Sequence, residues 1–358
     1  MATLVSSPGV WSARDTTPGE IEAALLKLMH ERAGQGGVHH APARVLNFVV
    51  VIDKEWKGEI SNRLDRISHD NPARTILVVV EEGMECLNAM ATLIHDTPGA
   101  LGTNTVFRER IEIECGSDQL DHLDTIVYPV LATEVGTIVW SPHGHPEAVD
   151  SLRGLASTVL IDSLDYPRWR DAIARITELS AYSDVSDLAW IRSVPWRERV
   201  AAAFDPEVWR PELAAISKVS VRMHPGSAMA GLLWLGWLSS RLGWEPGTID
   251  LDAADSKRGV AQSPGGPIEL SLDNDDTMPV PGLSGLTIET KNVTLSLDRG
   301  SGGLRATRSA HGETMDWTVL GASRGEDGIL AHGVTNALIP DPLFRPALDA
   351  ACAFGGLG

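Results

Sequence analysis

Cysteine is scarce in this sequence: Cys86, Cys115 and Cys352 stand far apart, with no CxxC pair. That excludes a disulfide scaffold and a cysteine-built zinc site, and it suits a reducing compartment. Tyrosine and phenylalanine are also few, 3 and 5 against 11 tryptophans, so indole is the main aromatic filler. No apolar run approaches the ~20 residues that cross a bilayer. The longest, Ala228 to Leu238, stops at Ser239. The first residues lack a basic start followed by an apolar stretch, so no secretory leader is expected. Positive charge is short as well: 30 Lys and Arg face 48 Asp and Glu, a net charge of −18. Such a chain repels phosphate backbones and anionic lipid, so neither nucleic acid nor membrane is an expected partner, and the expected location is cytoplasmic.

Catalytic signatures are missing too. The sequence contains no GxSxG, no HExxH and no GxxxxGK[ST]. A dinucleotide fold places a glycine-rich turn after its first strand. Here that turn is Asp53-Lys54-Glu55-Trp56, whose bulk and carboxylates oppose a pyrophosphate. Asp273-Asn274-Asp275-Asp276 resembles half a calcium loop but lacks the glycine and terminal glutamate, so it is read as a solvated turn. No catalytic residue, metal or cofactor is therefore assigned.

What is present is an ordinary globular mixture, 43% hydrophobic and 22% charged over 358 residues. Residues 1–43 read as a polar arm, an amphipathic helix from Ile21 to Arg32 and a flexible connector from Gly34 to Pro42. Arg44 to Ile52 is a β-branched run without alternation, the mark of a strand covered on both faces. Strand and helix patterns then alternate. Arg108 to Glu114, strictly alternating, is expected at an antiparallel edge. After residue 245 short alternating strands and turns take over, followed by two helical stretches. The expected fold is an α/β three-layer sandwich with a mostly parallel sheet over residues 44–245. A smaller β-rich α+β domain with terminal helices follows over 246–358.

Two clusters carry candidate chemistry. Trp140-Ser141-Pro142-His143-Gly144-His145-Pro146-Glu147 follows a strand, at the sheet end where open α/β folds place ligands. His143, His145 and Glu147 are acid-base groups, and a sugar-phosphate hydrolase or a metabolite sensor built on this loop is the alternative reading. The second cluster sets Arg192, Arg197 and Arg199 among Trp190 and Trp196, suited to an interface or to internal ion pairs with Asp187, Glu198 and Asp205.

The order and spacing of several short motifs resemble the OpcA family of glucose-6-phosphate dehydrogenase assembly proteins. They are His69-Asp70-Asn71-Pro72-Ala73-Arg74-Thr75-Ile76, Ile138-Val139-Trp140-Ser141-Pro142, Asp187-Leu188-Ala189-Trp190-Ile191-Arg192, Trp196-Arg197 and Gly236-Trp237-Leu238-Ser239-Ser240-Arg241. Some members carry a second tryptophan and Pro-Gly where this chain has Ser141-Pro142-His143-Gly144, so details of that loop do not transfer. The resemblance implies a non-enzymatic role. The chain would bind glucose-6-phosphate dehydrogenase, promote its active oligomer and tune its kinetics, in support of NADPH production. Candidate contact residues are Trp140, His143, His145, Glu147, Arg192, Trp196, Arg197 and Arg199, together with the open face of the β-rich domain.

Overall fold

The computed structural model describes residues 9–33, 45–68, 72–96, 106–251, 256–300, 302–320 and 325–357. The connector at 34–42 and the motif start at 69–71 lie outside them. In chain order the first elements are β1 (Gly9–Thr16), α1 (Pro18–Ala33), β2 (Leu46–Asp53), α2 (Lys57–Ile67), β3 (Ala73–Val80), β4 (Leu87–Asp96) and β5 (Val106–Cys115). Then come α3 (Leu123–Val127), β6 (Gly136–Trp140), α4 (Pro146–Leu152), β7 (Thr158–Ile161), α5 (Trp169–Leu179) and β8 (Asp184–Asp187). These strands form one eight-stranded sheet in the order β1-β4-β5-β3-β2-β6-β7-β8. β2 runs parallel to β3 and β6, β3 parallel to β5, and β6 parallel to β7. The central strand β2 is buried from Leu46 to Ile52, which requires cover on both faces and explains its lack of alternation.

Three expectations change. The polar arm is a strand: Gly9–Thr16 pairs antiparallel with β4, which had no signal of its own in the sequence. The Arg108–Glu114 segment is interior, parallel to β3 on one side and antiparallel to β4 on the other. Its alternating charges are satisfied by partners instead of water: Arg74 Nε meets Glu109 at 2.7 Å, and Lys57 Nζ meets Glu112 at 2.9 Å and Glu114 at 3.1 Å.

The division of the chain also moves. The expected cut at 245 is replaced by two interleaved compact units of similar length, one built on residues 1–161, 178–186 and 330–339, the other on 162–177, 187–329 and 340–358. The second contains α6 (Leu188–Arg192), α7 (Val194–Phe204), β9 (Ile216–Met223), α8 (Ala228–Leu242), β10 (Glu245–Pro246), β11 (Ser256–Ser263), β12 (Gly266–Asn274), β13 (Leu283–Thr290), β14 (Val293–Gly300), β15 (Gly303–Ala310) and β16 (Glu313–Leu320). α9 (Gly325–Asn336) and α10 (Phe344–Phe354) follow. β9 explains the shift. It sits inside the second sheet, ordered β10-β11-β12-β9-β13-β14-β15-β16, parallel to β12 and antiparallel to β13. Residues 187–245 thus belong with the β-rich unit. That sheet has one apolar face, on which α8 sits with Gly231 close to Met223 and Leu272. α8 is apolar almost all round because α10 covers it as well, with Gly236 against the Ala347 carbonyl.

Candidate functional site

In the first unit, β2 is flanked by β3 on one side and β6 on the other, so the strand order reverses between β2 and β6. In open α/β sheets the crevice beyond the carboxyl ends of such strands is the ligand site. Here β2 ends at Asp53 and continues into a 3₁₀ turn, Lys54–Trp56, that leads into α2. β6 ends at Trp140, and the loop after it enters α4 through His145.

The loop is wound tightly. His143, Gly144 and His145 have φ of 75°, 132° and 57°, three successive residues in the left-handed half of the map. For the two histidines this conformation is unfavourable, and neighbouring contacts hold it. Ser141 Oγ donates to the Gly144 carbonyl, the His145 carbonyl accepts the Val149 amide in the first turn of α4, and Pro142 and Pro146 restrict the ends. His143 stacks on Trp56 with ring centroids 4.5 Å apart. His145, 14% exposed, lies between two carboxylates, with Nε2 3.1 Å from Asp53 and Nδ1 3.2 Å from Glu147. Carboxylates only accept, so each of these bonds needs a proton on the ring nitrogen that makes it.

The sequence marked His143, His145 and Glu147, and the fold brings all three to this crevice. It missed the two residues that complete it, Asp53 and Trp56. Their signal is the bulky turn Asp53-Lys54-Glu55-Trp56, which by itself argues only against a nucleotide. Trp140 does not belong to the surface. It is 3% exposed and stacks on Phe48 in the core. A dinucleotide does not fit: side chains replace the glycines of the phosphate turn, and the Trp56–His143 stack covers them. The Ser141 hydroxyl is turned to the Gly144 carbonyl and not to His145. Among the described residues no three His, Cys, Asp or Glu side chains are placed to hold a metal ion.

The arginine–tryptophan cluster lies in the second unit and is largely consumed internally. Arg192 forks between Asp162 and Glu326, at 2.6 Å to each. Arg197, 6% exposed, lies over the Trp190 ring at 3.4 Å and donates to the Trp190 carbonyl, while Trp190 Nε1 donates to Asp341 at 2.7 Å. Burial lowers the pKa of Arg197 to about 10. Trp196 is 3% exposed. As partner contacts Trp196 and Arg197 are therefore corrected to core residues. Arg199 keeps part of its side chain in solvent, 3.9 Å from Glu198. Asp187 does not pair with an arginine as expected. It caps α6, its Oδ1 accepting from the Ser163 and Ala189 amides at 3.0 Å.

Asp187 is fully buried and its Oδ2 has no hydrogen-bond partner. Burial, with the Asp162 charge adding to it, pushes its carboxyl up to about 7. An unfolded aspartate titrates near ~3.9. Between those values the folded chain holds the extra proton, so this group's contribution is complete below the unfolded value and is lost as pH rises through about 7. Asp187→Asn keeps the cap acceptor and removes the titration. Chemical denaturation at pH 5 and pH 8 is expected to show a smaller fall in stability for the variant, with a gain of roughly 1–3 kcal/mol at pH 8. Equal pH slopes in the two proteins would contradict the assignment.

Compared with known proteins, residues 64–180 match the profile of the glucose-6-phosphate dehydrogenase subunit N-terminal domain, and residues 183–348 that of its C-terminal domain. The OxPP cycle protein OpcA of Synechocystis sp. is 25% identical over 214 residues, 58% of this chain and 45% of that one. Its counterpart in Synechococcus elongatus is 23% identical over 239 residues, 64% of this chain and 50% of that one. The match thus spans about half the length of these relatives. In fold, a super-repressor mutant of Gal80p from Saccharomyces cerevisiae superposes with a TM-score of 0.52 at 9% identity, over 88% of this chain and 95% of that one. Aldose-aldose oxidoreductase from Caulobacter crescentus gives 0.50 at 11% identity, over 88% and 96%. At such identities the likeness concerns the fold alone.

Proposed function

The chain belongs to the OpcA family of glucose-6-phosphate dehydrogenase assembly proteins, and from that premise we propose that it binds glucose-6-phosphate dehydrogenase, promotes its active oligomer and activates it allosterically without chemistry of its own. In this reading it supports NADPH production in the oxidative pentose phosphate pathway. The observation that carries the proposal is the closure of the switch-point crevice. A fold whose ligand cleft is filled by Trp56, His143 and the Asp53–His145–Glu147 bridge has exchanged a small-molecule pocket for a shaped, partly exposed surface.

An activator needs only greater affinity for one state of its target than for the other. A coupling of about 1–3 kcal/mol changes substrate affinity some 5–150-fold. The contact we propose is the loop crest, where His143 is exposed and Glu147 half-exposed, held in one conformation before binding so that little entropy is lost on docking.

Titrating the cognate dehydrogenase with this chain is expected to change its rate or apparent substrate affinity, levelling off at a stoichiometric ratio. The double variant His143→Ala/Glu147→Ala is expected to need about tenfold more protein for the same effect, a loss of ~1.4 kcal/mol. No co-purification and no kinetic change across the titration would end the proposal. A normal titration by the double variant would move the contact elsewhere.

A further inference from the structure

The second sheet has a face that no helix of its own unit covers among the described residues, and its side chains are ordered in rows. The β-ladder registers align Arg258, Ser271, Ser220, Thr287, Ser296, Thr307 and Asp316 in one line across seven strands. The middle of the line is all hydroxyls, with a cation at the β11 end and a carboxylate at the β16 end. A neighbouring line carries Asp273, Arg222, Gly285, Asp298 and Arg305. Gly285 makes room for an ion pair to lie flat over β13, since a Cβ there would meet Arg222 and Asp298.

The strand order places β13 between β9, β12 and β11 on one side, with the two-residue β10 beyond them, and β14, β15 and β16 on the other. A two-fold axis along β13, between two such faces, exchanges those flanks. It sets Arg222 opposite Asp298 of the other copy, Asp273 opposite Arg305, Arg258 opposite Asp316, and hydroxyl opposite hydroxyl in between. The remaining self-facing charge, Glu289, is neutralised within its own copy by Lys218 at 2.8 Å. From this pattern we infer that the open face of the second sheet is a homodimer interface, its occupant a second copy of the chain packed face to face along β13.

Two further facts support a second copy. The chain carries −18, which opposes self-association, yet the seven longer strands of this face hold four cations (Lys218, Arg222, Arg258, Arg305) against five carboxylates (Glu269, Asp273, Glu289, Asp298, Asp316), with Glu245 of β10 at its margin. It is the near-neutral window through which two acidic copies meet. Seven strands spaced ~4.8 Å and about eight residues long at ~3.4 Å each make a patch of roughly 30 by 25 Å, close to the ~800 Å² per partner of a stable interface. Aligned sheet packing offsets the two faces by ~30°, which long arginine side chains in the outer pairs absorb.

Sedimentation equilibrium on the whole chain at about 100 µM is expected to show a dimer, because interfaces of this area hold at µM or tighter. Thr287→Arg puts two guanidiniums face to face on the axis and is expected to raise the dimer dissociation constant at least tenfold, with an unchanged circular dichroism spectrum. Arg305→Glu and Asp273→Arg, each alone, set like charges opposite one another. A mixture of the two variants is expected to recover the dimer as a mixed species. A monomeric wild-type chain at that concentration overturns the inference, and so does a Thr287→Arg chain that dimerises like the parent. A mixture that stays monomeric does the same. A monomeric parent whose Thr287→Arg variant loses dehydrogenase binding also overturns it, since the face would then belong to the enzyme.

Discussion

Gly236→Ala is expected to lower the stability of the chain by about 2–3 kcal/mol, although alanine is the better helix former by ~1 kcal/mol in isolation. Gly236 lies within α8, where an added Cβ would come 2.1 Å from the Ala347 carbonyl oxygen and 3.1 Å from the Ala351 amide nitrogen of α10. Those are backbone atoms, so the two helices must part and the interior between them must reopen. Gly231, five residues earlier in α8, is the control. Its added Cβ meets only the Met223 Sδ at 2.7 Å and a Leu272 methyl at 2.9 Å, both ends of flexible side chains. Gly231→Ala is therefore expected to cost well under half as much. Urea unfolding of the two variants checks the order, and equal midpoints would show that α8 and α10 are not packed as closely as described.

The second large effect concerns the buried ion pair of the first sheet. Arg74 donates through Nε to Glu109 at 2.7 Å and through Nη1 to the Val130 carbonyl at 2.8 Å, with both side chains nearly inaccessible. Arg74→Met leaves the Glu109 carboxylate without that partner between β3 and β4, and a loss of roughly 3–5 kcal/mol is expected. Replacing both partners, Arg74→Met with Glu109→Leu, removes the stranded charge and is expected to restore most of the stability, because a well-packed apolar pair is often as good as a buried ionic one. A double-mutant cycle by chemical denaturation measures this directly. If the double variant were as unstable as Arg74→Met alone, the pair would be doing more than neutralising Glu109.

These two sites illustrate different kinds of legibility. Gly236 sat within the apolar run 228–238, and a glycine inside such a run already hints at close packing. Its partner, a carbonyl more than a hundred residues away, carried no local mark. Glu109 was visible as part of an alternating charged strand, and alternation pointed to solvent. The reading failed because period two reports only that the faces differ in polarity: Glu109 is buried with Arg74 on the face of Ile111 and Ile113, and on the other face Lys57 covers Glu112.

The candidate site divides along the same line. His143, His145 and Glu147 fall within five residues, and a loop after an apolar strand is a local pattern. Asp53 and Trp56 are distant in sequence and reach the loop only because β2 and β6 are neighbours in the sheet. The same holds for the row of hydroxyls on the second sheet, whose members come from five separate strands and acquire meaning only through register.

Most elements, the strands buried on both faces and the missing catalytic signatures were thus settled by the amino-acid order itself, because hydrophobic periodicity and turn chemistry act over a few residues, whereas β1 and β4 were not. Which strands are neighbours, where the chain divides into two units, and which charges find partners were settled by the tertiary structure. Those outcomes depend on contacts across dozens to more than a hundred residues, and the energy of such a contact is not encoded in either segment alone.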